Sequence, residues 1–154
     1  MADESDANDN ASKVSSIISN ASFEEGQDDN AEDWVFTNTQ PPLRSDSDAN
    51  TGSYSAYVKL ENIGKTPSEA HILKTIEGNI LSALNYEFTF FVKQIKQGTG
   101  GYIQQYLIEW FNEDEQKVEG TGFKKFSGKL GEWKEIVVPD VEIPENVRSV
   151  KLLF

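Results

Sequence analysis

The sequence predicts an all-β sandwich of two antiparallel sheets, and three observations predict it. Short runs with period-2 alternation recur along the chain, and turn residues punctuate them at short intervals. No stretch sustains a 3.6-residue apolar pattern beyond a short turn near Pro67 to Ala70. No internal repeat is visible.

Residues 1–13 are rich in acidic and small polar side chains and almost free of apolar ones, so they read as a disordered acidic tether. The folded domain is expected over residues 14–154, beginning near Val14 to Ile18. Trp34, Val35 and Phe36 form a short apolar strand. The long polar segment from Thr39 to Ser53, with Pro41, Pro42 and Gly52, reads as loop. Tyr54 to Leu60 alternates, placing Ala56, Val58 and Leu60 inward and Tyr57 and Lys59 outward. A second loop runs from Asn62 to Ser68. His71 to Glu77 is a strand with Ile72 and Ile76 inward, followed by a turn at Gly78-Asn79 or at Ser82 to Asn85.

The clearest strand is Tyr86 to Lys93. Tyr86, Phe88, Phe90 and Val92 share one face, and Glu87, Thr89, Phe91 and Lys93 share the other. Phe91 is the one large apolar ring on the polar side. A hairpin at Gln97 to Gly101 leads to the strand Tyr102 to Phe111. A turn at Asn112 to Gln116 precedes Lys117-Val118, and Trp133 to Val138 and Val147 to Phe154 are the last strands.

Charge and composition narrow the function. The net charge of -12 is concentrated at the start: residues 1–50 hold 12 acids against Lys13 and Arg44, and residues 51–154 hold 14 acids against 12 bases. Lys124, Lys125 and Lys129 are diluted by Glu115, Glu119 and Glu132, so no basic patch suited to nucleic acid emerges. There is no cysteine, which excludes thiol chemistry and cysteine metal sites. No apolar run reaches the roughly 20 residues of a membrane helix.

Catalytic constellations are thin. His71 is the sole histidine, there is no G-x-S-x-G elbow, and Gly98 to Gly101 lacks the lysine and helix of a phosphate loop. Glu109 with Glu113 or Asp114 is a carboxylate pair of the kind used in glycoside hydrolysis, but Glu113 and Asp114 lie in a turn where acids are ordinary solvated residues. Binding is the better reading. Trp34, Tyr57, Phe91, Tyr102, Tyr106 and Trp110 lie on strands where a ring can stack on the C–H face of a sugar, and Gln104 and Gln105 offer amides for hydroxyls.

Several motifs in order resemble the β-sandwich carbohydrate-binding modules of the superfamily containing families 4, 9, 16 and 22. They are Asn20-x-x-Phe23-Glu24-x-Gly26, Trp34, Gly52 to Val58, Asn85 to Lys93, Ile108 to Asn112, Trp133 before Pro144, and Val147 to Phe154. The resemblance covers residues 15 to 154.

It implies a galactose-binding-like jelly roll that is non-catalytic, is secreted or held at a bacterial surface, and targets an attached or partner enzyme to polysaccharide; a monomer is expected. It sets Phe91 on the concave sheet beside Thr89 and Lys93, and with Gln105, Tyr57, Trp34 and Tyr102 from the strand reading these form the expected ligand set, across a concave sheet or at loop tips. Trp110 and Trp133 match positions packed inside. Neutral glucan, mannan or xylan is favoured over alginate, with Lys59 and Lys93 as the local cations that would attract an anionic chain.

Relatives often hold a structural calcium (Ca2+), for which Glu24 and backbone carbonyls near Ser22 and Gly52 match. They usually add a strand bearing an aspartate for that metal beyond the position of Phe154. Either the chain is cut short there, or the sheet is completed differently and leaves an exposed edge. The alternative from another class is a structural interaction sandwich within a larger surface protein, without sugar binding.

Overall fold

The computed structural model describes residues 17–61, 67–78, 85–96, 98 and 103–154. The expected tether, the turn after Gly78, most of the loop at Asn62 to Ser68, most of the Gln97 to Gly101 hairpin, and Tyr102 lie outside the described residues. Among the described residues there is no helix. The strands are β1 (Gly26–Gln27), β2 (Asn30–Ala31), β3 (Val35–Thr37), β4 (Leu43–Ser45), β5 (Ser55–Tyr57), β6 (His71–Glu77) and β7 (Asn85–Gln94). They continue with β8 (Gln104–Phe111), β9 (Lys117–Gly120), β10 (Lys124–Phe126), β11 (Lys129–Leu130), β12 (Lys134–Glu142) and β13 (Ser149–Leu153).

These strands make an all-β sandwich. In the larger sheet β3, β6, β13 and β8 stand side by side, and β9 and β10 pair along the other edge of β8. The smaller sheet is β11-β7-β12, and two-stranded ribbons join β1 to β2 and β4 to β5. Among the described residues every strand pairing is antiparallel except that of β11 with β7. The last strand is not an edge: β13 is held between β6 and β8, and Phe154 exchanges two backbone hydrogen bonds with Ile72.

Alternation decides what is inside. From the larger sheet, Ile76, Ile108, Trp110, Val150 and Leu152 form the core, with Ile108 only 2% exposed. Ile143 and Val147, between β12 and β13, complete it. From the smaller sheet, Phe88 and Phe90 meet rings of the larger one. Phe90 lies 5.9 Å from Tyr106, 5.0 Å from Phe126 and 5.0 Å from Phe154, and Phe88 lies 5.8 Å from Phe154. Each such pair contributes about 0.5–1.5 kcal/mol beyond its burial. This ring cluster joins the two sheets.

Three differences from the sequence reading have physical causes. The polar segment before Ser53 contains β4, because Arg44 turns inward and finds its partners elsewhere. β5 ends at Tyr57, so Val58 and Leu60 are exposed and not inward. In β12 the pairing slips between Val138 and Val141, where Pro139 lacks a donor and Asp140 takes a φ of 52°.

Candidate functional site

The outward face of the smaller sheet gathers three of the expected residues. Along β7, Thr89, Phe91 and Lys93 point away from the ring cluster, and β12 sets Val137 opposite Thr89 and Glu135 opposite Phe91. Phe91 is 46% exposed and Val137 45%. No other ring stacks on Phe91 among the described residues. The Thr89 hydroxyl donates to the Glu87 carboxylate at 3.2 Å.

One end of this face is walled. Asp48, from the loop between β4 and β5, accepts a close hydrogen bond from the Lys93 ammonium on one oxygen and the Trp133 indole N–H at 3.4 Å on the other. The Lys93 hydrogen bond, aided by that of Trp133, holds the Asp48 carboxyl below its ordinary value of 3.8. Lys93 is therefore neutralised within the protein. Lys59 is likewise paired with Glu61, 2.6 Å away. Both cations expected to attract an anionic glycan already face a carboxylate. Asp48 and Trp133, 85 positions apart, were absent from the expected ligand set.

A second concavity, about 270 Å³ in volume, lies beside β4 and β5 and is lined by Gln40, Pro41, Leu43, Tyr57, Lys59 and Glu61. Leu43 and Tyr57 are cross-strand partners, so their side chains share one face.

The other expected residues are elsewhere. Gln105 alternates with the inward-facing Tyr106 and stands on the outer face of the larger sheet, on the opposite side of the sandwich from Phe91. Trp34 packs at 4.8 Å from Phe23, donates its indole N–H to the Asn20 carbonyl at 2.8 Å, and has the Lys74 ammonium 5.4 Å from its ring centroid. It is a packing residue. Trp110 is in the core, as the resemblance implies. His71 bonds with Asn38 and lies 3.8 Å from Glu69, and Glu109 is paired with Lys117 at 2.7 Å.

The opening motif is a clasp built on a guanidinium. Asn20 donates to the carbonyls of Glu25 and Glu32 at 2.8 and 2.6 Å and accepts from the Glu25 amide at 3.0 Å. Arg44, 8% exposed, donates to the carbonyls of Phe23 at 2.7 Å and Glu24 at 2.6 Å, with its guanidinium 3.4 Å from the Tyr54 ring centroid. Oε1 of Glu24 accepts the amides of Ser53 and Tyr54 at 2.9 and 3.0 Å. Gly52 has a φ of 65° and leaves the Glu24 carboxylate the space that a Cβ would take.

Several oxygens of this arrangement are already engaged by the protein itself. The carbonyls of Phe23 and Glu24 face the Arg44 guanidinium, one Glu24 carboxylate oxygen is taken by two amides, and Ser22 is exposed. Among the described residues no group of three or more His, Cys, Asp or Glu is placed to hold a metal.

No family model matches the chain, and no curated protein matches it. Among solved structures, the chain is similar to the enzymatically active domain of tailspike protein 4 from bacteriophage CBA120. The TM-score is 0.66 at 14% identity, covering 90% of this chain and 18% of that one.

It is also similar to the C-terminal family 22 carbohydrate binding module of Clostridium thermocellum Xyn10B. There the TM-score is 0.51 at 13% identity, covering 86% of this chain and 84% of that one. The likeness is one of fold. The chain thus has a β fold like that of a carbohydrate-binding module, and it spans under a fifth of the tailspike chain.

Proposed function

We propose that this protein is a non-catalytic, extracellular carbohydrate-binding module that stacks a glycan chain on Phe91 across the outer face of β7 and β12. The observation that carries the reading is the half-exposed Phe91 ring, unstacked among the described residues, on a sheet face walled by Lys93, Asp48 and Trp133. An aromatic platform with polar neighbours suits a sugar ring, whose C–H face packs on the ring while hydroxyls bond at its sides. Glu135, Thr89 and Glu87 supply those neighbours. A family 22 carbohydrate binding module shares the fold and has a cleft whose conserved amino acids bear on ligand binding, which supports the reading. The site favours neutral chains, because its cation is already neutralised by Asp48. The protein's task is then to hold an attached or partner glycan-degrading enzyme on its substrate.

Affinity electrophoresis through gels containing xylan, glucan, mannan or alginate tests this. Retardation by a neutral polysaccharide, reduced about tenfold in affinity by Phe91→Ala, supports it. Unretarded migration in every gel, or a variant retarded as strongly as the wild type, refutes it.

A second reading, a sandwich that packs on a neighbouring domain, is favoured by one feature of the larger sheet. Val35, Leu73, Leu153 and Leu107 are successive cross-strand partners and form an apolar row across the outer face of four strands.

A further inference from the structure

The concavity beside Tyr57 is not part of the Phe91 face, yet Asp48 bonds both to the ribbon that bears Tyr57 and to the strand that bears Phe91. Ser55 shares the outward face of β5 with Tyr57, two residues on, and donates its hydroxyl to the Asp48 carbonyl at 2.6 Å. Asp48 is the residue that holds Lys93 on β7. Lys96, two residues past the end of β7, is near enough to Glu61 to help lower that carboxyl's pKa, after Lys59 as the main cause. The ends of β7 and of the β4–β5 ribbon are thus linked through Asp48.

The walls of the concavity are preorganised. Gln40 donates to the Glu61 carbonyl at 2.9 Å and accepts the Glu61 amide at 2.7 Å, and the Ser68 hydroxyl bonds to the same carbonyl at 2.7 Å. Tyr57, Leu43 and Pro41 make an apolar floor, and the ion-paired Lys59 and Glu61 stand at the rim. No hydrogen bond within the described residues engages the Tyr57 hydroxyl. At about 270 Å³ the concavity falls just below the range of pockets for drug-sized ligands, a size for one ring and not for a chain.

We infer that this concavity is a second sugar subsite, which takes one ring of the same chain that lies on Phe91. The C–H face packs on Tyr57 and Leu43, and adjacent hydroxyls reach Lys59 as donor, Glu61 as acceptor and the free Tyr57 hydroxyl. This rests on the glycan-binding reading above. It adds that the protein measures chain length, since one ring must pass the Asp48 wall for both subsites to fill.

Calorimetry with cello-, xylo- and manno-oligosaccharides of two to six units separates the two claims. For the series that binds, affinity is expected to rise with length, and Tyr57→Ala to cost about tenfold with hexasaccharide while leaving disaccharide binding unchanged. Tyr57→Phe, which keeps the ring, is expected to lose a smaller factor. Phe91→Ala weakens every length. If Tyr57→Ala matches the wild type at every length while Phe91→Ala weakens binding, the second subsite is wrong and the glycan platform stands. If no oligosaccharide of any of the three series binds, or if Phe91→Ala changes nothing, both are overturned.

Discussion

Phe90 and Phe91 are adjacent in sequence and opposite in circumstance. Phe90 meets four rings, those of Phe88, Tyr106, Phe126 and Phe154, from both sheets of the sandwich. Phe91, one residue on and turned through the pleat, meets no ring among the described residues and is 46% exposed. The same side chain therefore serves cohesion at one position and is left available at the next. A strand's two faces carry separate assignments, and composition alone cannot separate them.

The largest expected effect is on the inner face. Phe90→Ala removes the ring that ties β7 to β8, β10 and the end of the chain, and should cost about 3 kcal/mol. At this chain length that lowers the melting temperature by roughly 6–12 °C. Phe91→Ala, in the same melting experiment, should change stability by no more than about 0.5 kcal/mol. Equal losses from the two variants would erase the distinction between them.

Arg44→Ala comes next. It leaves the carbonyls of Phe23 and Glu24 without their donor and Tyr54 without its stacked cation, for a loss of about 2 kcal/mol. Because the guanidinium is the structural cation here, adding calcium or a chelator should leave the wild-type melting temperature unchanged. A calcium-dependent rise would contradict that account of the opening motif.

Two smaller effects concern charge. The folded carboxyl of Asp48 titrates below its ordinary 3.8, so its stabilisation is complete above that value and is lost as pH falls through the lower folded value. Melting curves of wild type and Asp48→Asn should differ at neutral pH and converge in acid below about pH 3.8. Lys74, 3% exposed on the inner face of β6, has its ammonium pushed below 10.5 by burial, partly offset by Asp33. The unfolded chain holds that proton more tightly, so stability should rise with pH between the lowered value and 10.5. Lys74→Met should flatten that rise, with a melting temperature at neutral pH no lower than that of the wild type.

How much of this was legible in the sequence follows from the range of the forces involved. β6 and β7 were readable because an uninterrupted alternation over seven to ten residues is a local signal. β4 was not, because a polar stretch around a buried arginine looks like loop until Phe23, Glu24 and Tyr54 are seen to surround it. The face of Phe91 was legible from parity, and its wall was not, since Asp48, Lys93 and Trp133 meet only through the fold. Gln105 shows the same limit. Alternation set it opposite Tyr106, but only the assembled sandwich puts that face on the far side from Phe91. Lys59 and Lys93 read as free cations in a sequence that does not display their partners.

The most direct test of the central claim is an amide chemical-shift titration of the intact protein with the polysaccharide fragment that binds it. The account predicts that the resonances of Thr89, Phe91, Lys93, Glu135 and Val137 move together while those of Gln105, Leu107 and Leu153 stay in place. Shifts confined to the larger sheet, along the row from Val35 to Leu107, would contradict it and favour a module that docks by its opposite face.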